Sequence, residues 1–147
     1  MLLKVSVLRG RDKDVSLLST MMRIVYIGAF GLLGVFARYY CGVLTGKLVD
    51  TPLPVATFVI NTLGSFLIGV MFVAGVERTV LPKDLTIGVM VGFLGGFTTF
   101  SSFALESAQL FAQFGSLSTM IYLFGSPLIG IFAAFSGIWC GRFLLGS

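Results

Sequence analysis

Hydrophobic residues fill four stretches of this 147-residue chain, and polar residues gather in the short intervals between them. The apolar stretches cover about Ile24–Leu44, Val55–Val76, Leu85–Phe111 and Leu117–Leu145. Each is close to the length that crosses a hydrocarbon core as a helix, about 20 residues. The pattern predicts an all-α membrane domain over residues 23–147, with four transmembrane helices. The intervals are Thr45–Pro54 with Pro52 and Pro54, Glu77–Asp84 with Pro82, and a turn near Gln113–Ser116. Connections this short require neighbouring helices to run antiparallel. Residues 1–22 carry Lys4, Arg9, Arg11, Asp12, Lys13 and Asp14 without a sustained apolar run, and are expected to form a polar, disordered tail. They do not read as a signal peptide, because the apolar segment that follows is too long for an h-region. Met21-Met22, just before the first span, offers an alternative start of translation.

Composition strengthens the membrane assignment. Hydrophobic residues make up 56% and charged residues 11% of the chain, and the mean hydropathy is +1.03. A soluble domain of this size needs more charge to cover its surface, and no length remains for a second domain. The net charge of +4 calls for no nucleic-acid partner, since Lys4, Arg9, Arg11, Lys13, Arg23 and Arg142 lie in or next to the chain ends, where anionic headgroups attract them. No histidine is present, so imidazole metal sites and histidine proton relays are excluded. Cys41 and Cys140 fall near the ends of the first and last spans, on opposite membrane faces, and are read as free thiols.

Charge says little about orientation. Setting the tail aside, one face holds Arg23, Arg78, Lys83 and Arg142, and the other Arg38 and Lys47. So weak a bias permits insertion in both directions and hence an antiparallel dimer, whereas the tail's extra cations favour a single orientation. Small residues recur at helix-contact spacing in Gly28, Gly31 and Gly34, in Gly88, Gly92 and Gly96, and in Gly137 and Gly141. Four helices packed that closely leave little lumen, so a pore or transport site calls for a dimer.

Candidate chemistry is concentrated in the third span, at Gly92-Phe93-Leu94-Gly95-Gly96-Phe97-Thr98-Thr99-Phe100-Ser101-Ser102-Phe103. Paired glycines weaken a helix, and Thr and Ser hydroxyls compete for its backbone partners. A break at Gly95–Ser102 would free carbonyls and amides of the kind that discontinuous helices use to hold ions. A continuous helix with a polar packing face is the alternative. Asn61 lies midway along the second span, with Thr57 one turn before it. Its amide could donate to an anion or form an interhelical hydrogen bond. Phe100 and Phe103 share a helical face, as do Tyr122, Ser126 and Gly130. Arg38, Glu106 and, near the C-terminus, Arg142 are the charges inside the spans, all toward ends.

These residues resemble the Fluc (CrcB) family of fluoride ion channels from Ile24 to Leu145. The resemblance rests on Gly31-Leu32-Leu33-Gly34-Val35-Phe36-Ala37-Arg38-Tyr39, on Thr57-Phe58-Val59-Ile60-Asn61-Thr62-Leu63-Gly64-Ser65-Phe66, and on the third-span run followed by Glu106. It implies a third helix broken mid-membrane and an antiparallel, dual-topology homodimer with two fluoride pathways and a structural sodium ion at its centre. By position, Asn61, Phe100 and Phe103 match pathway residues, with Tyr122 and Ser126 on the fourth-span side. Thr57, Ser102 and Glu106 match polar groups near the vestibules, and Arg38 an arginine near a pore mouth. Gly95 and Thr98 match positions whose backbone carbonyls hold the sodium. Gly130 departs from members with a hydroxyl there, which implies a shorter polar track.

The chemistry suits those expectations. A path for strongly hydrated fluoride must replace water with donors, and phenylalanine edges, being positive, favour an anion. The resemblance implies a passive channel in the bacterial inner (plasma) membrane that lowers cytoplasmic fluoride, with no catalytic residues. A proton-coupled four-helix drug exporter is the alternative. It needs a carboxylate embedded mid-membrane, and Ile24–Leu44 contains none. A non-conducting assembly subunit is a third option.

Overall fold

In a computed structural model the chain is described over residues 2–146, with side chains from Leu17 onward. Helix α1 covers Leu2–Leu48 and α2 covers Val55–Phe72, extended by a π-helical turn at Val73–Glu77. Helix α3 covers Lys83–Ile87, extended by π-helical Gly88–Leu94, and is followed by α4 at Gly95–Phe97 and α5 at Phe100–Leu144. Among the described residues there is no strand. The backbone of α1 runs through the segment expected as a polar tail, most of whose side chains lie outside the described residues. Pro54 and Pro82 stand immediately before α2 and α3. Proline is well placed at a helix start, because its missing N–H is one that has no intrahelical partner there.

Among the described residues three helical stretches are long and apolar enough to cross a membrane: Leu17–Leu48, Val55–Glu77 and Lys83–Leu144. The first two fit one crossing each. The third has 62 residues, which as a straight helix would span about 90 Å. It is not straight. Thr98 (φ −79°, ψ 158°) and Thr99 (φ −149°, ψ 120°) are extended. Further on, Gly115 takes φ 77° and ψ −168° inside α5, a region open to glycine and strained for other residues. Beyond it the chain turns back. The Tyr122 hydroxyl donates to Glu106 Oε2 at 3.0 Å across a separation of 16 residues, which a straight helix would hold about 24 Å apart.

Glycines set the packing. Helix α1 lies along Gly88–Phe97, and backbone meets backbone where a Cβ on Gly92 would sit 2.7 Å from the Ile27 carbonyl oxygen and one on Gly96 2.6 Å from that of Gly31. Helix α2 packs against the distal part of α5 in the same way, Gly69 facing the Ala134 carbonyl and Gly137 that of Phe66. Such approaches let helices associate where lipid supplies no hydrophobic driving force. Buried Ile60, Val73, Leu94, Phe97, Phe103 and Leu110 fill the interior, while large apolar residues such as Leu32, Phe36, Phe124, Phe132 and Trp139 face outward, as a lipid solvent permits. Among the described residues two ion pairs tie elements together: Arg23 Nε within α1 to Asp84 Oδ1 at the start of α3 at 2.7 Å, and Arg142 Nη2 near the end of α5 to Glu77 Oε1 at 2.6 Å.

Candidate functional site

The linker Thr98–Thr99 is where backbone groups leave the helical ladder, and side chains from two other helices take them up. In a continuous helix the Thr99 amide would donate to the Gly95 carbonyl. Here it donates to Asn61 Oδ1 at 2.9 Å, and Asn61 Nδ2 donates back to the Thr99 carbonyl at 3.0 Å. One carboxamide thus pairs with both backbone groups of one residue. Leaving either group unpaired away from water would cost about 1–3 kcal/mol. Arg38 reaches from α1 and donates to the Thr98 carbonyl at 3.3 Å. Thr98 stays tied to the preceding turn, its amide and hydroxyl both donating to the Leu94 carbonyl at 3.0 and 2.9 Å.

Thr99 also restarts the helix. Its Oγ1 accepts from the Ser102 amide at 3.2 Å, an N-cap of α5, and lies 3.1 Å from Ser102 Oγ and 3.3 Å from Ser101 Oγ. The linker borders an open cleft of about 490 Å³ lined by Asn61, Gly64, Ser65, Gly95, Thr98, Thr99, Phe100, Phe103, Ser126 and Gly130, with apolar Ile68, Leu94 and Ile131. Phe100 is 80% exposed beside it, whereas Phe103, 5.8 Å away between ring centroids, is 6% exposed.

From Phe103 the polar groups continue. Its ring lies 5.2 Å from that of Tyr122, and Tyr122 and the buried Thr57 both donate to half-buried Glu106, at 3.0 and 2.6 Å. A second cleft of about 370 Å³ opens on this side, lined by Phe58, Leu110, Ser118, Tyr122, Gly125 and Ser126. Ser126 borders both clefts.

With this geometry in place, the relatives decide the family. The profile of the family described as CrcB-like protein, Camphor Resistance (CrcB), matches residues 25–138. The chain belongs to the CrcB-like family. A protein of Geotalea daltonii named fluoride-specific ion channel FluC is 33% identical over 124 residues, 84% of this chain and all of that protein. One of the same name from Acidithiobacillus ferrooxidans is 38% identical over 114 residues, 78% of this chain and 91% of that protein. Fluoride-specific ion channel FluC 1 of Bacillus cereus is 35% identical over 127 residues, 85% of this chain and 93% of that protein.

In this CrcB-like chain the residues singled out in the sequence fall into two adjoining groups. Arg38, Asn61, Gly95, Thr98, Phe100, Ser102, Phe103 and Ser126 surround the linker and the larger cleft, while Thr57, Glu106 and Tyr122 form the hydrogen-bonded cluster beyond Phe103. Three further residues carry geometry that sequence reading passed over. Thr99 holds the linker, and a hydroxyl residue three positions before Ser102 at a helix start is the signal for it. Ser65 lines the cleft opposite Gly130, where a Cβ would lie 3.3 Å from Ser65 Oγ. Gly64 meets the Thr98 side chain.

Proposed function

We propose that the chain forms a fluoride-selective channel that passively exports fluoride from the cytoplasm. The observation that carries this is the Asn61–Thr99 pairing beside Phe100 and Phe103, in a family whose relatives are named fluoride-specific channels. Fluoride would pass from the larger cleft along Phe100, Phe103 and Ser126 toward Tyr122, Thr57, Ser102 and Glu106. The second amide hydrogen of Asn61 and the nearby hydroxyls replace water as donors, and ring edges add positive potential. The gradient alone drives the ion, and no bond is made or broken, so the chain is a channel and not an enzyme.

Four crossings account for the lengths best, the 62-residue stretch bending back at Gly115 to cross twice, with its first crossing broken at Thr98–Thr99. A second copy, inserted antiparallel in the bacterial inner membrane, would cover the exposed Phe100 and close the cleft. The oxygens of Gly95 and Thr98 suit a hard cation such as sodium. The Gly95 carbonyl has lost its helical donor to Asn61, and that of Thr98 keeps one lone pair beside the long Arg38 bond. Two copies would together present four such oxygens. When bound, sodium would supply a fixed positive charge at the dimer centre.

The test is fluoride efflux from liposomes holding the purified protein, read with a fluoride electrode under a potassium ionophore. Rapid fluoride efflux with little chloride efflux is expected; wild-type protein that passes no fluoride overturns the reading. Replacing sodium by a bulky organic cation during purification should lower the dimer fraction seen by crosslinking.

A further inference from the structure

Gly64 follows Asn61 by three positions on α2, so both look toward the linker. It is buried, and a Cβ built on it would run into the Thr98 Cγ2 methyl, with Phe97 Cδ1 at 3.5 Å and Thr98 Cβ at 3.7 Å. Ordinarily a side-chain tip moves aside. Thr98 is held against that. Turning about χ1 would carry its hydroxyl off the Leu94 carbonyl, to which it donates at 2.9 Å. Its carbonyl accepts from Arg38 at 3.3 Å, and the next residue is paired on both backbone groups by Asn61. Added volume at position 64 must therefore displace the linker itself, because the methyl cannot turn away without breaking the hydroxyl's bond to Leu94.

We propose that Gly64 is a positioning residue of the ion site: its missing side chain seats the Thr98 methyl and so sets the direction of the Thr98 carbonyl and the place of Thr99 relative to Asn61. Gly64 itself offers no group to an ion. The proposal rests on the reading of Thr98–Thr99 as the ion site. It makes α2 a two-part holder in which Asn61 supplies hydrogen bonds and Gly64 supplies room, one turn apart.

A size swap tests it. Thr98→Ser removes the methyl and keeps both the backbone carbonyl and the hydroxyl. Fluoride efflux is measured for wild type, Gly64→Ala, Thr98→Ser and the double variant, each as reconstituted dimer. Gly64→Ala is expected to lower efflux at least about tenfold when made in the wild type but less than about threefold when made in Thr98→Ser, a coupling that only neighbours show. If Gly64→Ala assembles only when combined with Thr98→Ser, that also supports the seat. An equal loss in both backgrounds, no loss in either, or failure to fold in both overturns it. Hydrogen exchange at the Thr99 amide separates this proposal from the functional one. Exchange should quicken at least about tenfold in Gly64→Ala and return toward the Thr98→Ser rate in the double variant, whether or not the wild type conducts. An exchange rate unmoved by Gly64→Ala overturns the seat even if the wild type passes fluoride.

Discussion

The last long stretch of the chain leaves the helix twice, and the two interruptions are built in opposite ways. At Gly115 a single glycine takes a dihedral open to few other residues, and a hydroxyl from its own helix, Thr119 Oγ1, donates to its carbonyl at 2.9 Å. At Thr98–Thr99 both residues adopt ordinary extended angles, and the cost lies in the hydrogen bonds withdrawn from the helix. Those are made good from elsewhere, by Arg38 of α1 and Asn61 of α2. The first interruption is local and changes direction. The second depends on the tertiary fold and leaves polar backbone groups beside a cleft. A bend thus needs one permissive residue, whereas freeing backbone groups beside a cleft needs a helix opened and then held by its neighbours.

That contrast predicts distinct consequences of substitution. The largest belongs to Asn61→Ala, which removes both bonds to Thr99. Fluoride efflux from liposomes should fall about 100-fold, equivalent to about 2.7 kcal/mol, while crosslinking still reports a dimer. Efflux within about threefold of wild type would place the linker's support elsewhere. Phe100→Ile removes a ring edge but no hydrogen bond, and should lower efflux about tenfold, equivalent to about 1.4 kcal/mol. Gly115→Ala should act on stability instead, costing about 1–3 kcal/mol for the strained dihedral and lowering the midpoint of thermal unfolding, with efflux per assembled dimer unchanged. A drop in that efflux would mean that the two interruptions are coupled. Thr99→Ala removes the N-cap of α5 but leaves the Asn61 clamp on the backbone, and should cost about 1 kcal/mol, read as a smaller drop in the midpoint of thermal unfolding than that of Gly115→Ala.

The membrane class was legible because hydropathy and run length are properties of neighbouring residues, and the turn expected near Gln113–Ser116 contains Gly115, where the backbone leaves helical angles. Gly95-Gly96 followed by Thr and Ser marked where the third span is weak, without saying whether it breaks. The identity of the extended pair was not legible, because Thr98 and Thr99 are extended through bonds to residues 38 and 61, far away in sequence. For the same reason the partner of Arg38, read from its place toward a span end as a charge that snorkelling or pairing would satisfy, was not legible: its guanidinium lies on the Thr98 carbonyl. Glu106 looked like an isolated charge near a span end, and only the fold brings Thr57 and Tyr122 to its two oxygens. Gly64 could not be told from the other small residues of α2, since what distinguishes it is a methyl group on another helix.

The turn at Gly115 has one more consequence, for how the chain enters a bilayer. From Ser107 to Gly141 no residue carries a charge, so the bend lies within an uncharged hairpin. Insertion machinery that reads lysine and arginine beside hydrophobic segments finds nothing at this bend to retain on the cytoplasmic side. In the proposed four-crossing arrangement the tip of the hairpin brings no charge of its own to bias insertion, and orientation is set by Arg23, Arg78, Lys83 and Arg142 on one face against Arg38 and Lys47 on the other, together with the cations that precede the first span.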